Sequence, residues 1–130
     1  MIVSNPPFYE KELKGDDKFK NMAHHNEGLL LNQLIHIIRQ NLKIGGTFYL
    51  LLPYKRNEEI MKLIKDNEFA LKKLCFIKQT ESHNYFRVIL KAIHSHETTE
   101  TVIEEIAIKD DNGNYTKRFT RLLEDYYLHL

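Results

Sequence analysis

The chain has 130 residues, 42% of them hydrophobic and 11% aromatic, with a formal net charge of +1. That length suits one domain with a real core, and the charge excludes a globally basic nucleic-acid coat while leaving room for a local basic patch. A single cysteine, Cys75, excludes an internal disulfide. Its setting in the apolar run Leu74-Cys75-Phe76-Ile77 reads as a small buried hydrophobe. No apolar stretch approaches the roughly 20 residues of a membrane helix, and the N-terminus lacks the charged and apolar segments of a signal peptide. The expectation is a soluble cytoplasmic protein.

In chain order, Met1 to Ser4 is short, apolar and β-branched and runs into Pro6-Pro7, which predicts a buried strand ending at Ser4. Tyr9 to Asn26 is polar, with a dense charge run, and reads as a long loop of the kind that is uncommon unless functional. From Glu27 to Leu42, Leu30, Leu34, Ile38 and Leu42 recur at i+4, and Leu31, Ile35 and Ile37 widen the stripe of a helix. Lys43 and Gly45-Gly46 end it. Thr47 to Leu52 is a continuous β-type run closed by Pro53, as for a strand buried on both faces.

Glu58 to Asn67 predicts a second helix with Ile60, Met61 and Ile64 inward. Leu71 to Thr80 and Tyr85 to Ile93 are strands joined by Glu81-Ser82-His83-Asn84, a link short enough to make them antiparallel. Thr101 to Lys109 is a further strand, and Asp110-Asp111-Asn112-Gly113 a turn. Phe119, Leu122, Leu123, Tyr126 and Leu130 mark a C-terminal amphipathic helix, with Tyr126-Tyr127 packing inward. This order fits an α/β sheet that begins parallel and ends with an antiparallel hairpin, flanked by helices.

The chemistry-bearing motif is Asn5-Pro6-Pro7-Phe8. Two prolines fix the backbone and remove two N–H donors, so the carbonyls there stay free to accept. An exocyclic amine needs such acceptors as it attacks a methyl group. The Asn5 side-chain oxygen and the Pro6 carbonyl can supply two, and Phe8 can stack on the ring. Such sites lie at strand ends beside parallel sheets.

The motif follows Val3-Ser4. After it come Ala23-His24-His25 before a leucine-rich helix, Gly46-Thr47-Phe48 with Leu51-Leu52-Pro53, and Arg87-Val88-Ile89-Leu90. Asn114-Tyr115-Thr116 follows with Phe119-Thr120 and Tyr126-Tyr127-Leu128. On these features residues 2–130 resemble the C-terminal half of a Rossmann-like class I methyltransferase. More narrowly they resemble the bacterial tRNA1(Val) adenine-37 N6-methyltransferases. The Asn-Pro-Pro-aromatic motif is shared with DNA adenine, rRNA guanine and protein glutamine methyltransferases, and the Asn-Tyr-Thr tail narrows it. The resemblance implies a partial Rossmann-like sheet, S-adenosylmethionine as cofactor and tRNA as partner. Catalysis would fall to Asn5, Pro6, Pro7 and Phe8, with Asn5 also facing the cofactor. His24, His25, Arg87, Lys117 and Arg118 would bind substrate. Where the family commonly has Ala-Arg, this chain has Ala23-His24, and histidine is the weaker phosphate ligand at neutral pH.

The family's glycine-rich cofactor loop follows the first strand. Here Gly45-Gly46 follows a helix and precedes a strand, which suits a helix C-terminus. The expectation is therefore that residues 1–130 are the catalytic-loop half of the enzyme without its cofactor-binding half, inactive by itself. Met1 to Ser4 would then present an apolar edge, covered by a homodimer or a separate N-terminal fragment. The alternatives are methylation of another amine (a DNA adenine, an rRNA guanine or a protein glutamine), or a non-catalytic remnant that binds RNA or a partner chain.

His24, His25, His83, His94 and His96 lack ligand spacing, so no metal is expected. Lys72, Lys73, Lys78, Arg87, Lys91, Lys117, Arg118 and Arg121 read as ordinary solvated charge, with a tRNA-facing patch as the alternative. Glu58-Glu59 and Glu104-Glu105 read as solvent-facing positions.

Overall fold

A computed structural model describes residues 1–6, 31–97 and 100–125. Their strands form one sheet: β1 (Ile2–Ser4), β2 (Thr47–Pro53), β3 (Ala70–Thr80), β4 (Tyr85–Ile93) and β5 (Val102–Lys109), in the order β1-β2-β4-β3-β5. β1 runs parallel to β2, β4 is antiparallel to both β2 and β3, and β5 is parallel to β3. β1, β2, β3 and β5 therefore share one direction, and their carboxyl ends lie at one end of the sheet. The expected α/β sheet with its antiparallel hairpin is the one observed.

The helices are α1 over 31–41, α2 (Asn57–Asp66) and α3 (Lys117–Leu123), with a 3-10 turn at Tyr54–Arg56 leading into α2. On α1 the i, i+4, i+7 pattern buries Leu31, Ile35 and Ile38, with Leu42 just past its end. Ile37 departs from expectation: it lies on the opposite side of the helix and is exposed. Leu30, the expected polar loop and Tyr126-Tyr127 lie outside the described residues.

Strand side chains alternate between faces, so the register sorts them. Phe48, Leu50 and Leu52 of β2 stand level with Ala92, Leu90 and Val88 of β4. All six are at most 1% exposed and join Leu74 of β3 and the apolar stripes of α1 and α2 in one core cluster. β2 was expected to be buried on both faces. Its other-face residues Tyr49 and Leu51 are only half-buried, because α1 and α2 both pack on the Phe48 side. β1 is likewise less buried than its composition suggests, with Met1 and Val3 exposed and Ile2 half-buried.

The turn from α1 to β2 uses both glycines. Gly45 sits at φ +84°, where a Cβ is strained. At Gly46 a Cβ would meet Leu42 Cδ1 at 2.7 Å and the Lys43 carbonyl at 2.8 Å. Gly45 N–H donates to the His94 carbonyl and His94 N–H to the Gly46 carbonyl, which ties this turn to the end of β4.

Candidate active-site strand end

Asn5-Pro6 leaves β1 at the carboxyl end of the sheet, one residue past the level where Ser4 meets Leu50 of β2. Asn5 is exposed and Pro6 half-buried. No described residue hydrogen-bonds the Asn5 side chain, so its amide oxygen is available as an acceptor. Pro7, Phe8, His24 and His25 fall outside the described residues.

Beside this strand end the carboxyl rim carries aromatic side chains that the sequence reading passed over. Tyr54, directly after β2, packs against Phe76 of β3 (5.7 Å between ring centroids) and Tyr85 of β4 (5.4 Å). Phe76 and Tyr85 stack at 5.0 Å. The Tyr85 hydroxyl donates to Glu105, and Lys78 Nζ meets the same carboxylate at 2.6 Å. The bond from Lys78, then that from Tyr85, holds the Glu105 carboxyl below the usual carboxylate range, while Glu105 raises Lys78 and Tyr85.

Glu104 and Glu105, read as solvent-facing positions, keep partial exposure and also serve as ion-pair centres. Glu104 takes Lys73 at 3.1 Å and Arg118 at 2.9 Å, and Arg118 also donates to the Glu105 carbonyl. Three of the cations read as solvated charge, with a tRNA-facing patch as the alternative, are thus paired within the fold: Lys73, Lys78 and Arg118. Lys117 and Arg121 are exposed on α3. Arg87 does not join them. It stands level with Pro53, on the sheet face opposite the core, with its guanidinium 5.7 Å from the Phe86 ring.

Cys75 is buried beside Glu104. Burial first, and then that carboxylate, push its thiol up, which keeps it protonated and unreactive. His94 Nδ1 lies 2.8 Å from the Leu42 carbonyl, and His83 bonds Thr80.

The Asn114-Tyr115-Thr116 tail has a definite architectural role. Thr116 caps α3 by accepting from Phe119 N–H, donates its hydroxyl to the Ala107 carbonyl at 2.6 Å, and gives its N–H to Ile108. The Asp110 carboxylate accepts from the Asn112 and Asn114 backbones to close the preceding turn. Together these bonds fold α3 back onto β5.

No family model matches the chain. Among curated proteins it is 28% identical over 131 residues to the tRNA1(Val) (adenine(37)-N6)-methyltransferase of Pseudoalteromonas translucida, covering 100% of this chain and 55% of that protein. It is 27% identical over 130 residues to the enzyme of the same name from Christiangramia forsetii, covering 100% and 53%. This chain is a relative of the tRNA1(Val) (adenine(37)-N6)-methyltransferases. It spans about half the length of these methyltransferase relatives. Among solved structures, a predicted O-methyltransferase from Agrobacterium tumefaciens has the same fold, with a TM-score of 0.64 at 13% identity over 94% of this chain and 49% of that one.

The described residues do not by themselves fit S-adenosylmethionine. Gly45 and Gly46, the adjacent glycines among them, are bonded into the α1–β2 turn. No described loop cradles a nucleoside.

Proposed function

We propose that this chain carries the amine-orienting part of an S-adenosylmethionine-dependent enzyme that methylates adenine N6 in tRNA. The observation that carries the reading is Asn5-Pro6 at the carboxyl end of an exposed parallel strand, with no described residue bonded to the Asn5 amide. An adenine amine has two N–H groups to place. The Asn5 Oδ1 and the Pro6 carbonyl are two acceptors on adjacent residues, and proline's fixed φ holds the second in place. Phe8 supplies the stacking surface for the base, which must leave its stack to be reached. The proton lost from N6 needs no strong base, because the amine becomes acidic as it is methylated. The methyl donor, when bound, supplies the leaving group, and the curated relatives' names support tRNA as the substrate class.

The test is methyl transfer by the chain together with the remaining part of the Pseudoalteromonas relative, using labelled donor and three substrates: tRNA1(Val) transcript, duplex DNA and a release factor. Methylation of the transcript alone, lost in Asn5→Ala and in a transcript with guanine at position 37, is the expected result. Label entering only DNA or only protein would move the assignment to another amine. No transfer to any of the three would leave a non-catalytic binding role.

A further inference from the structure

We propose, on the basis of the tRNA reading above, that Tyr54 is a stacking platform for the unpaired base next to the target adenine. It would hold the RNA strand while the target is extruded. Tyr54 directly follows β2, at the same carboxyl rim as Asn5. Ser4 is level with Leu50, so Asn5 is level with Leu51 and Tyr54 lies three residues further on. That offset is about 10 Å along the neighbouring strand. Successive bases stacked in a strand are only about 3.4 Å apart. The larger gap suits a flipped base and a neighbour that stays behind.

Its surroundings single out Tyr54 within the aromatic cluster. It is 38% exposed, whereas Phe76 and Tyr85 are half-buried. The Tyr85 hydroxyl is tied to Glu105, which Lys78 also holds, while no described residue hydrogen-bonds the Tyr54 hydroxyl. Phe76 and Tyr85 stack on each other, and the Tyr54 ring lies at 79° to the first and 56° to the second. Phe76 and Tyr85 are thus the brace and Tyr54 the open surface. A ring braced in this way meets a base with little loss of side-chain freedom. Tyr115 is the other exposed aromatic among the described residues, at 44%. It follows β5, four strand spacings or about 19 Å from β1, beyond the reach of a base next to the target.

Charge favours stacking over phosphate attraction as the contact here. Lys55 is exposed, but the stretch 55–59 also holds Arg56, Glu58 and Glu59 and is neutral overall, with Arg56 bonded to Glu59. A neutral rim exerts little long-range pull on an RNA strand. Stacking needs no net charge and accepts every base, because each has a π-face. The presence of the neighbouring base should therefore matter, and its identity should not.

The experiment titrates the full chain with the anticodon stem-loop of tRNA1(Val), carrying the fluorescent base 2-aminopurine on one side of the target or on the other. Stacking quenches this base. With the parent chain the label should stay quenched at one of the two positions, and with Tyr54→Leu it should brighten there. Tyr54→Leu should weaken binding at least fivefold, and Tyr54→Trp should not. Leucine keeps an apolar contact with Phe76 and Tyr85, and circular dichroism checks that each variant is folded. Removing the neighbouring base from the loop should cost as much as Tyr54→Leu, and the two losses should not add. Tyr115→Leu should leave the signal unchanged. Additive losses, or an equal loss with Tyr115→Leu, would overturn the proposal. Preference for adenine over guanine at the target, with binding indifferent to Tyr54→Leu, would overturn it alone. No binding of any loop would overturn it together with the tRNA reading.

Discussion

The two faces of the sheet are made from the same strands yet do different jobs. On one, Phe48, Leu50, Leu52, Val88 and Leu90 are at most 1% exposed beneath α1 and α2. On the other, their immediate neighbours Tyr49, Leu51 and Ile89 are half-buried or exposed, with two lysine and arginine side chains among them. One residue of register thus separates positions that hold the fold together from positions left over for something else. The lesson is that apolar content along a strand says little about which face is in use.

Substitution should break the symmetry of adjacent positions. Leu90→Ala, on the covered face, should cost about 2–5 kcal/mol by urea unfolding, through lost burial and a residual cavity. Ile89→Ala, one residue away, should cost well under about 1.5 kcal/mol, since water already reaches it. Equal losses would mean that both faces are packed. Gly46→Ala should cost about 1–3 kcal/mol, because the new methyl meets the Lys43 carbonyl and Leu42, which anchors α1 on the covered face.

Thr116→Ala should cost about 1 kcal/mol in the same assay, with loss of the α3 cap on the open-face side. The smallest effect is electrostatic. Glu105 is held below its unfolded value of about 4.3. Its contribution is therefore present above that pH and fades as pH falls through the lower folded value. Lys78→Met should move the Glu105 carboxyl titration, followed by NMR, back upward. No movement would detach Lys78 from the rim.

Periodicity made most of the fold legible. The α1 stripe, the 81–84 turn and the β3–β4 hairpin follow from spacing alone, and observed boundaries lie within two residues of expectation for the described strands. The one-sided burial of β2 was not legible. Thr47–Pro53 is apolar on both sides, and nothing local says that both neighbouring helices choose the Phe48 side. The pairing of Glu104 with Lys73 and Arg118 depends on β5 lying beside β3, a non-local fact that no motif encodes. At the site, Asn5-Pro6 was visible as a motif because its chemistry is in adjacent residues. The Tyr54–Phe76–Tyr85 cluster was not, because its members come from three separate places in the chain.

The Asn-Pro-Pro stretch has a second consequence, for solubility. An unpaired strand edge recruits other chains by offering backbone donors and acceptors. β1 offers only three residues before Pro6, and Pro6 and Pro7 have no N–H to give. The residues proposed to receive a base therefore also act as gatekeepers, halting strand addition before it can propagate into a fibre.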